Sequence, residues 1–305
     1  MDTLSLFDPI VTKTMVFIVS IFLITTFAHF VASKLRRRKI EFTRYYIWLL
    51  FAAAMFVGAF LGGIFLALLF SFIIFQGVKE IYQAAEAGGF IVDKLSRTMT
   101  FAFACLFPFM VNYNSGVALP FLVMSTLAIF SVPIFQRKVS LASNKISLSL
   151  FALIFAGMLS HIILIRSLVG GFGFTMFVVF ITDASNSMGY IFGKIFGKRK
   201  YIPDISPGKS VEGSLGSFLM AMLFALILKF WVPALTMAET MAAAILICFF
   251  AHVGDLVFSV FKREIGIKDY SKILLEQGGI LDQFDSLVYT APVFFYFLKM
   301  LEYFK

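Results

Sequence analysis

Carboxylate side chains are concentrated in one stretch of this chain, from His252 to Asp285, which long apolar runs flank on both sides. Its acidic residues are Asp255, Glu264, Asp269, Glu276, Asp282 and Asp285. Asp282 and Asp285 are three residues apart, so on a helix they share one face. Carboxylates without a Cys and without a nearby cluster of His residues are typical ligands of Mg²⁺, which also takes phosphate oxygens as ligands. The stretch therefore predicts a magnesium site that handles a phosphorylated substrate.

Basic side chains in the same stretch extend this chemistry to anions. Lys262, Arg263 and Lys268 are suited to charge-assisted hydrogen bonds with phosphate. Asp255 lies inside an apolar run, where an ionised group is costly unless a cation accompanies it. The alternative is a set of mutually paired charges at helix ends, with long side chains that reach the membrane surface. That alternative predicts no binding site.

A second polar segment runs from Ile181 to Ser217 and begins with a carboxylate in an apolar run, Asp183. It reaches Ser206-Pro-Gly-Lys209-Ser210 and Glu212, where an apolar helix restarts. Free backbone N–H groups, hydroxyls and an ammonium at a helix N-terminus favour bound phosphate. The GxxxxGK[ST] spacing is absent, so this is not a P-loop. The alternative interpretation is a basic loop beside the membrane that precedes a capped helix.

The elements that position these residues are membrane helices. Hydrophobic residues make up 60% of the 305 positions, 41 residues are Phe, and only 14% are charged. A soluble domain of this size leaves polar residues on its outside, which this composition does not supply. Apolar runs near 20 residues match the length that a helix needs to cross a bilayer. We expect an all-α, polytopic transmembrane helix bundle.

The apolar runs predict ten spans. They cover residues 14–33, 45–60, 62–78, 98–112, 117–135, 146–165, 171–192, 213–232, 236–260 and 286–303. With this count, 21 of the 26 Lys and Arg residues fall on one side of the membrane. Because basic residues are enriched in cytoplasmic loops, both termini are predicted outside and the two polar segments in the cytoplasm.

The chain is predicted to form one membrane domain with two regions. Residues 1–165 supply N-terminal helices, and residues 166–305 form a catalytic region with cytoplasmic loops 193–212 and 261–285. The polar segment 79–97 predicts an interfacial helix or a solvated connector. The net charge of +9 is distributed as a membrane protein requires, so no nucleic-acid partner is expected.

Two segments resemble a known enzyme family. Residues Ser259–Asp285, SVFKREIGIKDYSKILLEQGGILDQFD, resemble the signature of phosphatidate cytidylyltransferases, the CDP-diacylglycerol synthases. Phe196–Gly213 resembles the second conserved loop of that family, with FGKRK followed by ISPGKSVEG. The two segments lie within roughly the last 120 residues. Upstream of them, the resemblance is one of hydropathy only.

The resemblance implies a membrane enzyme that joins CTP to phosphatidate and releases pyrophosphate and CDP-diacylglycerol. It implies in-line attack of the lipid phosphate on the α-phosphorus of CTP, with one or two Mg²⁺ ions. The implied catalytic residues are Asp255, Asp282, Asp285 and Lys262, and the implied metal ligands are Asp255, Asp282, Asp285 and Asp183. The implied substrate-binding residues are Ser206, Lys209, Glu212, Arg263, Lys268, Asp269, Gly278 and Gly279.

Five positions depart from the family pattern. Leu275 stands where the family has the Pro of Pro-x-His-Gly-Gly. Asn186 stands where the family has an intramembrane Asp, and Asp183 lies one helical turn earlier. Phe258 replaces a Glu, Gln277 replaces a His before the glycine pair, and Gln283 replaces the Arg of Asp-Arg-x-Asp. A Gln cannot supply the bidentate, charged contact of an Arg. A Gln between these acids also resembles archaeal CDP-archaeol synthases.

These departures keep other functions open. The same transfer to a prenyl or glycerol-ether phosphate is the first alternative. A catalytically inactive homologue is the second, and a transporter is the third, because intramembrane carboxylates also occur in transporters. The leading prediction is a cytidylyltransferase in a bacterial inner membrane that faces the cytoplasm and forms a possible homodimer.

Overall fold

All ten predicted spans are helical. The computed structural model describes residues 5–36, 43–90, 92–136, 142–274 and 277–304. The helices of these residues are α1 (Pro9–Arg36), α2 (Thr43–Leu61), α3 (Gly63–Ala87), α4 (Lys94–Tyr113), α5 (Ala118–Gln136), α6 (Ala142–Leu159), α7 (His161–Ser167), α8 (Gly171–Phe196), α9 (Val211–Ile227), α10 (Met237–Glu264) and α11 (Ile280–Phe304). The predicted span 146–165 is divided between α6 and α7.

The all-helical, polytopic class is confirmed. In the described part of the chain, six helical segments are long and apolar enough to cross a membrane. They are Gly63–Ala87, Ser115–Gln136, Ile146–Ser167, Val211–Trp231, Met237–Glu264 and Ile280–Glu302. Shorter apolar helices cover Pro9–Leu23 and Leu49–Leu61. The spans predicted at 98–112 and 171–192 form α4 and α8, which carry more polar residues. The positions of the termini and the homodimer stay predictions.

Helix α11 lies at the centre of the packing, against α3, α6, α7, α8 and α10. Its inner face buries Leu281, Ala291 and Phe294 completely. Helices from both predicted regions share one hydrophobic core around it. Asp282 and Asp285 lie in the first turns of the same helix, so they are fixed relative to helices from both halves of the sequence.

Helices α8 and α9 approach closely because glycines line their contact. A Cβ atom on Gly213 would lie 2.7 Å from the carbonyl oxygen of Gly189, and one on Gly216 would lie 2.3 Å from the ring of Phe192. Ser210 caps α9, since its hydroxyl oxygen accepts the backbone N–H of Gly213. The chain before Ser210 is thereby held between α8, α9 and α10.

The segment 79–97 is not a separate interfacial helix. Its first half continues α3 to Ala87, where Gly88 and Gly89 end the helix. Asp93 then caps α4 by accepting the backbone N–H of Ser96. The polar appearance of the segment arises partly from Glu80, which is fully buried in α3.

Candidate active site

A cavity of about 460 Å³ lies between α8, α9, α10 and the loop before α9. We call it the polar cavity. It is lined by Asn186, Gly189, Tyr190, Gly193, Lys194, Lys200, Ser206, Gly208, Lys209, Ser210, Gly213, Ser214, His252 and Asp255. The lining contains three ammonium groups and three serine hydroxyls. Such a lining is suited to a highly charged, phosphorylated ligand.

Lys209 joins the two segments that the sequence singled out. Its ammonium nitrogen lies 2.7 Å from Oδ2 of Asp255 on α10. It also donates to the backbone carbonyl of His252, at 3.3 Å. The imidazole of His252 is oriented by Ser217, whose hydroxyl lies 2.6 Å from Nε2. The predicted phosphate loop and the predicted metal-binding stretch therefore meet in one cavity wall.

The loop that carries Lys209 is held by its own polar contacts. The Lys200 ammonium donates to the carbonyl of Gly208, and a single antiparallel bridge pairs Lys200 with Ser210. Glu212 accepts the backbone N–H groups of Lys198 and Arg199 at 3.0 and 3.2 Å. Ser206 and Lys209 line the cavity. Glu212 instead stabilises the loop through its contacts with the backbone.

A second charged group lies at the junction of α10 and α11. The ammonium of Lys262 is 2.8 Å from Oδ1 of Asp282 and 4.0 Å from Oδ2 of Asp285. Lys262 and Asp285 are only 8% and 4% exposed. Asp255 also lies near enough to act electrostatically on both residues. Three of the predicted carboxylates therefore lie near one another. Lys262 lies between Asp282 and Asp285, and Lys209 pairs with Asp255.

Asp282 has a structural task in addition to its ion pair. Its Oδ2 accepts the backbone N–H groups of Tyr270 and Gly279, at 2.9 and 2.8 Å. Gly278 adopts a φ of 82°, and a Cβ there would lie 2.7 Å from Asp282 Oδ2. A side chain at Gly278 would be strained in this conformation and would collide with the carboxylate. Gly278 thus allows Asp282 to hold the loop from α10 to α11.

Glu80 is a part of this site that the sequence analysis missed. Its Oε1 accepts the hydroxyl of Ser271 at 2.7 Å and the backbone N–H of Ile280 at 3.0 Å. Its Oε2 accepts the backbone N–H of Leu281 at 2.7 Å. A Cβ on Gly279 would lie 2.4 Å from the same carboxylate. Glu80 therefore caps α11 from α3, and Gly279 provides the space for it.

The remaining predicted substrate contacts lie in the loop between α10 and α11. Arg263 donates from Nε to the carbonyl of Ile205 at 3.1 Å and from Nη1 to that of Ile267 at 2.9 Å. It thus ties this loop to the loop before α9. Lys268 and Asp269 are exposed. Their substrate-binding roles, like that of Arg263, stay predictions.

Tyr270 packs against the charged group and is itself buried. Its hydroxyl donates to the carbonyl of Phe258, and its ring lies 5.6 Å from the Lys262 ammonium. Burial, with the charges of Asp282, Asp285 and Glu80, raises the pKa of Tyr270 well above its usual value. The hydroxyl consequently stays protonated at physiological pH.

Three of the residues that depart from the family pattern, Asn186, Phe258 and Gln283, make specific contacts in the structure. Asn186 donates from Nδ2 to the hydroxyl of Ser286 at 2.8 Å. The single proton of that hydroxyl has two acceptors in reach, Asp285 Oδ1 at 3.1 Å and the carbonyl of Ala251 at 3.0 Å. Phe258 is buried and packs against Phe151, Phe155 and Tyr270. Gln283 donates from Nε2 to the carbonyl of Gln277 at 2.9 Å, so it stabilises the loop.

Asp183 lies in a different place from the other aspartates. It lines a second, smaller cavity of about 120 Å³, which we call the apolar cavity. That cavity is lined by Phe17, Ile18, Ile21, Phe51, Ala52, Met55, Met176, Val179, Phe180, Thr182, Asp183, Asn186, Trp231, Gln283, Phe284 and Leu287. Asn186 lines both cavities, so the two adjoin there.

The carboxylates do not form a ready-made metal cage. Across residues 5–36, 43–90, 92–136, 142–274 and 277–304, no three His, Cys, Asp or Glu side chains are grouped as metal ligands. Instead, Lys209 forms an ion pair with Asp255, and Lys262 forms one with Asp282. Mg²⁺ is commonly bound through one or two carboxylates together with substrate phosphates, and Asp255 in the polar cavity fits that mode. The four-aspartate ligand set stays a prediction.

Comparison with known proteins identifies a family that matches most of the chain. A sequence model of the cytidylyltransferase family matches residues 42–301, which include every helix around both cavities except α1. The chain belongs to the cytidylyltransferase family. The family match confirms the predicted resemblance and extends it from the last 120 residues to most of the chain.

Individual relatives of this cytidylyltransferase family member match over shorter segments. An uncharacterised protein of Escherichia coli K12, YnbB, is 40% identical over 130 residues, which are 43% of this chain and 44% of that protein. The phosphatidate cytidylyltransferases of Staphylococcus haemolyticus and Staphylococcus aureus strain COL are 38% and 36% identical over 121 residues, 39% of this chain and 45% of each enzyme. The matched segments thus span less than half the length of these relatives.

Proposed function

We propose that this protein transfers the cytidylyl group of CTP to a lipid phosphate, with phosphatidate as the acceptor and CDP-diacylglycerol and pyrophosphate as products. The observation that carries the proposal is the ion pair between Lys209 and Asp255 in the wall of the polar cavity. It joins two segments that each suit phosphate chemistry, inside a bundle of membrane helices. The phosphatidate cytidylyltransferases among the relatives support the same reaction.

The charges of the site suit the proposed reaction. A phosphate oxygen of the lipid would bond to the α-phosphorus of CTP while the bond from that phosphorus to the bridging oxygen breaks, and pyrophosphate would leave. A phosphate monoester is already ionised near neutral pH, so no strong base is required. Lys209 would exchange its carboxylate partner for phosphate oxygens as negative charge collects on the leaving group, and Lys262 would add its positive charge nearby.

The cation requirement is part of this proposal. Asp255 would hold Mg²⁺ together with the CTP phosphates, and the bound ion would supply positive charge beside the transferred and leaving groups. Asp282 and Asp285, which hold Lys262, would set the position of that ammonium beside the phosphates. The active site would face the cytoplasm of a bacterial inner membrane, as the distribution of basic loops indicates.

Purified protein given labelled CTP, Mg²⁺ and a panel of lipid phosphates tests the proposal. We expect pyrophosphate release with phosphatidate, its loss on chelation, and its recovery with added Mg²⁺. Lys209→Met should abolish turnover, because it removes the ammonium from the cavity wall. Lys299→Met is the matched control, since Lys299 pairs with Glu302 at an exposed surface of α11. Absence of product with every lipid refutes the transfer, and product with a prenyl or ether lipid alone refutes phosphatidate as acceptor.

A further inference from the structure

Lys209 occupies the carboxylate on which the proposed cation site depends. Its ammonium lies 2.7 Å from Oδ2 of Asp255, and the two side chains are 15% and 30% exposed. Water and salt weaken ion pairs at a fully exposed surface. This pair lies in the wall of the polar cavity, where the surrounding helices exclude most of that water. The ammonium therefore compensates much of the negative charge of Asp255.

The loop before α9 fixes the backbone of Lys209 close to α10. The backbone N–H of Lys209 donates to the carbonyl of Ser206 in a tight turn, and the next residue, Ser210, caps α9. The ammonium also donates to the carbonyl of His252, which lies three residues before Asp255 on α10. Lys209 and Asp255 both line the polar cavity, so an ammonium that leaves Asp255 moves into that cavity.

A carboxylate paired with an ammonium is a weak ligand for a second cation. Mg²⁺ binds oxygen ligands at about 2.0–2.1 Å. At Oδ2 of Asp255 the ion would displace the ammonium, and at the other oxygen of that carboxylate it would lie a few Å from a like charge. Coulomb repulsion at such distances is strong where helices replace water. A divalent ion alone thus competes with Lys209 for Asp255.

We propose that Lys209 acts as a placeholder cation, which keeps divalent ions off Asp255 until the phosphates of the nucleotide draw its ammonium away. The inference rests on the proposed transfer reaction and adds that cation and nucleotide bind cooperatively. Phosphate oxygens offer the ammonium a second charged partner, which a divalent ion alone does not. Each ligand therefore raises the affinity of the protein for the other by the same factor.

Binding of Mn²⁺ to the purified protein in a neutral detergent tests the inference without lipid substrate or turnover. Mn²⁺ shares the oxygen ligands of Mg²⁺, and electron paramagnetic resonance measures its free concentration. Lys209→Met should bind Mn²⁺ about tenfold or more tightly than the unchanged protein. Lys209→Arg retains a cation and should bind Mn²⁺ as weakly as the unchanged protein.

Lys200→Met is the matched control, because it removes the same charge from the lining of the same cavity. The Lys200 ammonium donates to the carbonyl of Gly208 at 3.0 Å, so its loss releases no carboxylate. We expect this variant to change the affinity for Mn²⁺ by less than about threefold, since only a screened charge is removed.

Two further measurements assign the effect to Asp255 and to the nucleotide. The double variant Lys209→Met with Asp255→Asn should lose the gain in affinity for Mn²⁺, because the released carboxylate is gone. Added CTP should raise the amount of Mn²⁺ that ultrafiltration retains with the unchanged protein, and raise it less with Lys209→Met. Circular dichroism checks the helix content of each variant, and Lys209→Gln takes the place of Lys209→Met if that variant loses helix.

The placeholder role and the transfer reaction can fail separately. Equal affinities for Mn²⁺ in Lys209→Met and the unchanged protein overturn the placeholder role, and so does an equal gain in Lys200→Met. A gain that persists in the double variant overturns it as well, since the ion then binds elsewhere. The expected pattern of Mn²⁺ binding without product from any lipid phosphate overturns the transfer reaction alone.

Discussion

Replacement of Glu80 by Gln tests how α3 supports the active site. In the protein, one carboxylate oxygen accepts the Ile280 N–H and the Ser271 hydroxyl, and the other accepts the Leu281 N–H. A glutamine has one acceptor oxygen and one NH₂ group at these positions. Whichever way the amide turns, its NH₂ group faces the N–H of Ile280 or of Leu281. At least one buried donor of α11 therefore loses its acceptor.

The expected cost follows from these contacts. A hydrogen bond to a charged acceptor contributes about 1.5–3 kcal/mol, and the buried donor left without a partner adds a penalty of similar size. Loss of the negative charge at the N-terminus of α11 contributes about 0.3–1 kcal/mol more. These contributions overlap, so we expect Glu80→Gln to lower the free energy of unfolding by about 2–4 kcal/mol.

Glu86→Gln is the control, because it makes the same change on the same helix. Glu86 pairs with Arg97 at 2.8 Å, but 45% of its side chain is exposed. Exposed ion pairs contribute at most about 1 kcal/mol. Both variants and the unchanged protein are unfolded in detergent micelles, and circular dichroism follows loss of helix with temperature. The Glu80 variant should melt several degrees lower than the control.

Activity gives the second part of this prediction. Asp282 and Asp285 lie in the first two turns of the helix that Glu80 caps, so loosening that end displaces them from Lys262. Pyrophosphate release from CTP should fall at least tenfold in Glu80→Gln at temperatures where the variant remains folded. A Glu80 variant as stable and as active as Glu86→Gln refutes the assigned role of the cap.

Three further predictions concern the same junction. Lys262→Met leaves two buried aspartates without their cation and should cost about 3–5 kcal/mol of stability, measured by the same melting assay, with Lys268→Met as an exposed control. Gly279→Ala places a Cβ 2.4 Å from the Glu80 carboxylate and should cost about 1–3 kcal/mol, with loss of turnover. The raised pKa of Tyr270 means that the unfolded chain loses this proton first. Stability should therefore fall above about pH 10, and less steeply in Tyr270→Phe, whereas an equal slope in both refutes the assignment.

The helices and the two charged segments were predictable, because each has a local signal in the sequence. Runs near 20 apolar residues identify membrane helices wherever they occur. Asp282 and Asp285 share a helix face by spacing alone, and the structure brings them to Lys262. Lys209 and Asp255 were assigned to the same phosphate chemistry from separate segments, and they form an ion pair.

The contacts across long sequence separations were not predictable in this way. Glu80 lies in a polar stretch after an apolar run, which is equally typical of a solvated helix end. Its partners Ile280 and Leu281 are 200 and 201 residues away. Gly278 and Gly279 were assigned to substrate, whereas their close contacts are with the carboxylates of Asp282 and Glu80. A side chain's burial depends on packing between distant helices, which no local pattern specifies.

The bond between α3 and α11 also constrains how the protein is made. Synthesis proceeds at about 5–20 residues per second, so a gap of 200 residues separates Glu80 from Ile280 by roughly 10–40 s. Throughout that interval the carboxyl group at Glu80 lacks the donors that surround it in the folded protein. Helix α3 is therefore synthesised, and enters the bilayer, before the hydrogen-bond partners of its Glu80 carboxyl group exist. Water at the membrane surface, or the insertion machinery, must solvate this group until α11 is synthesised and its backbone N–H groups reach the carboxylate.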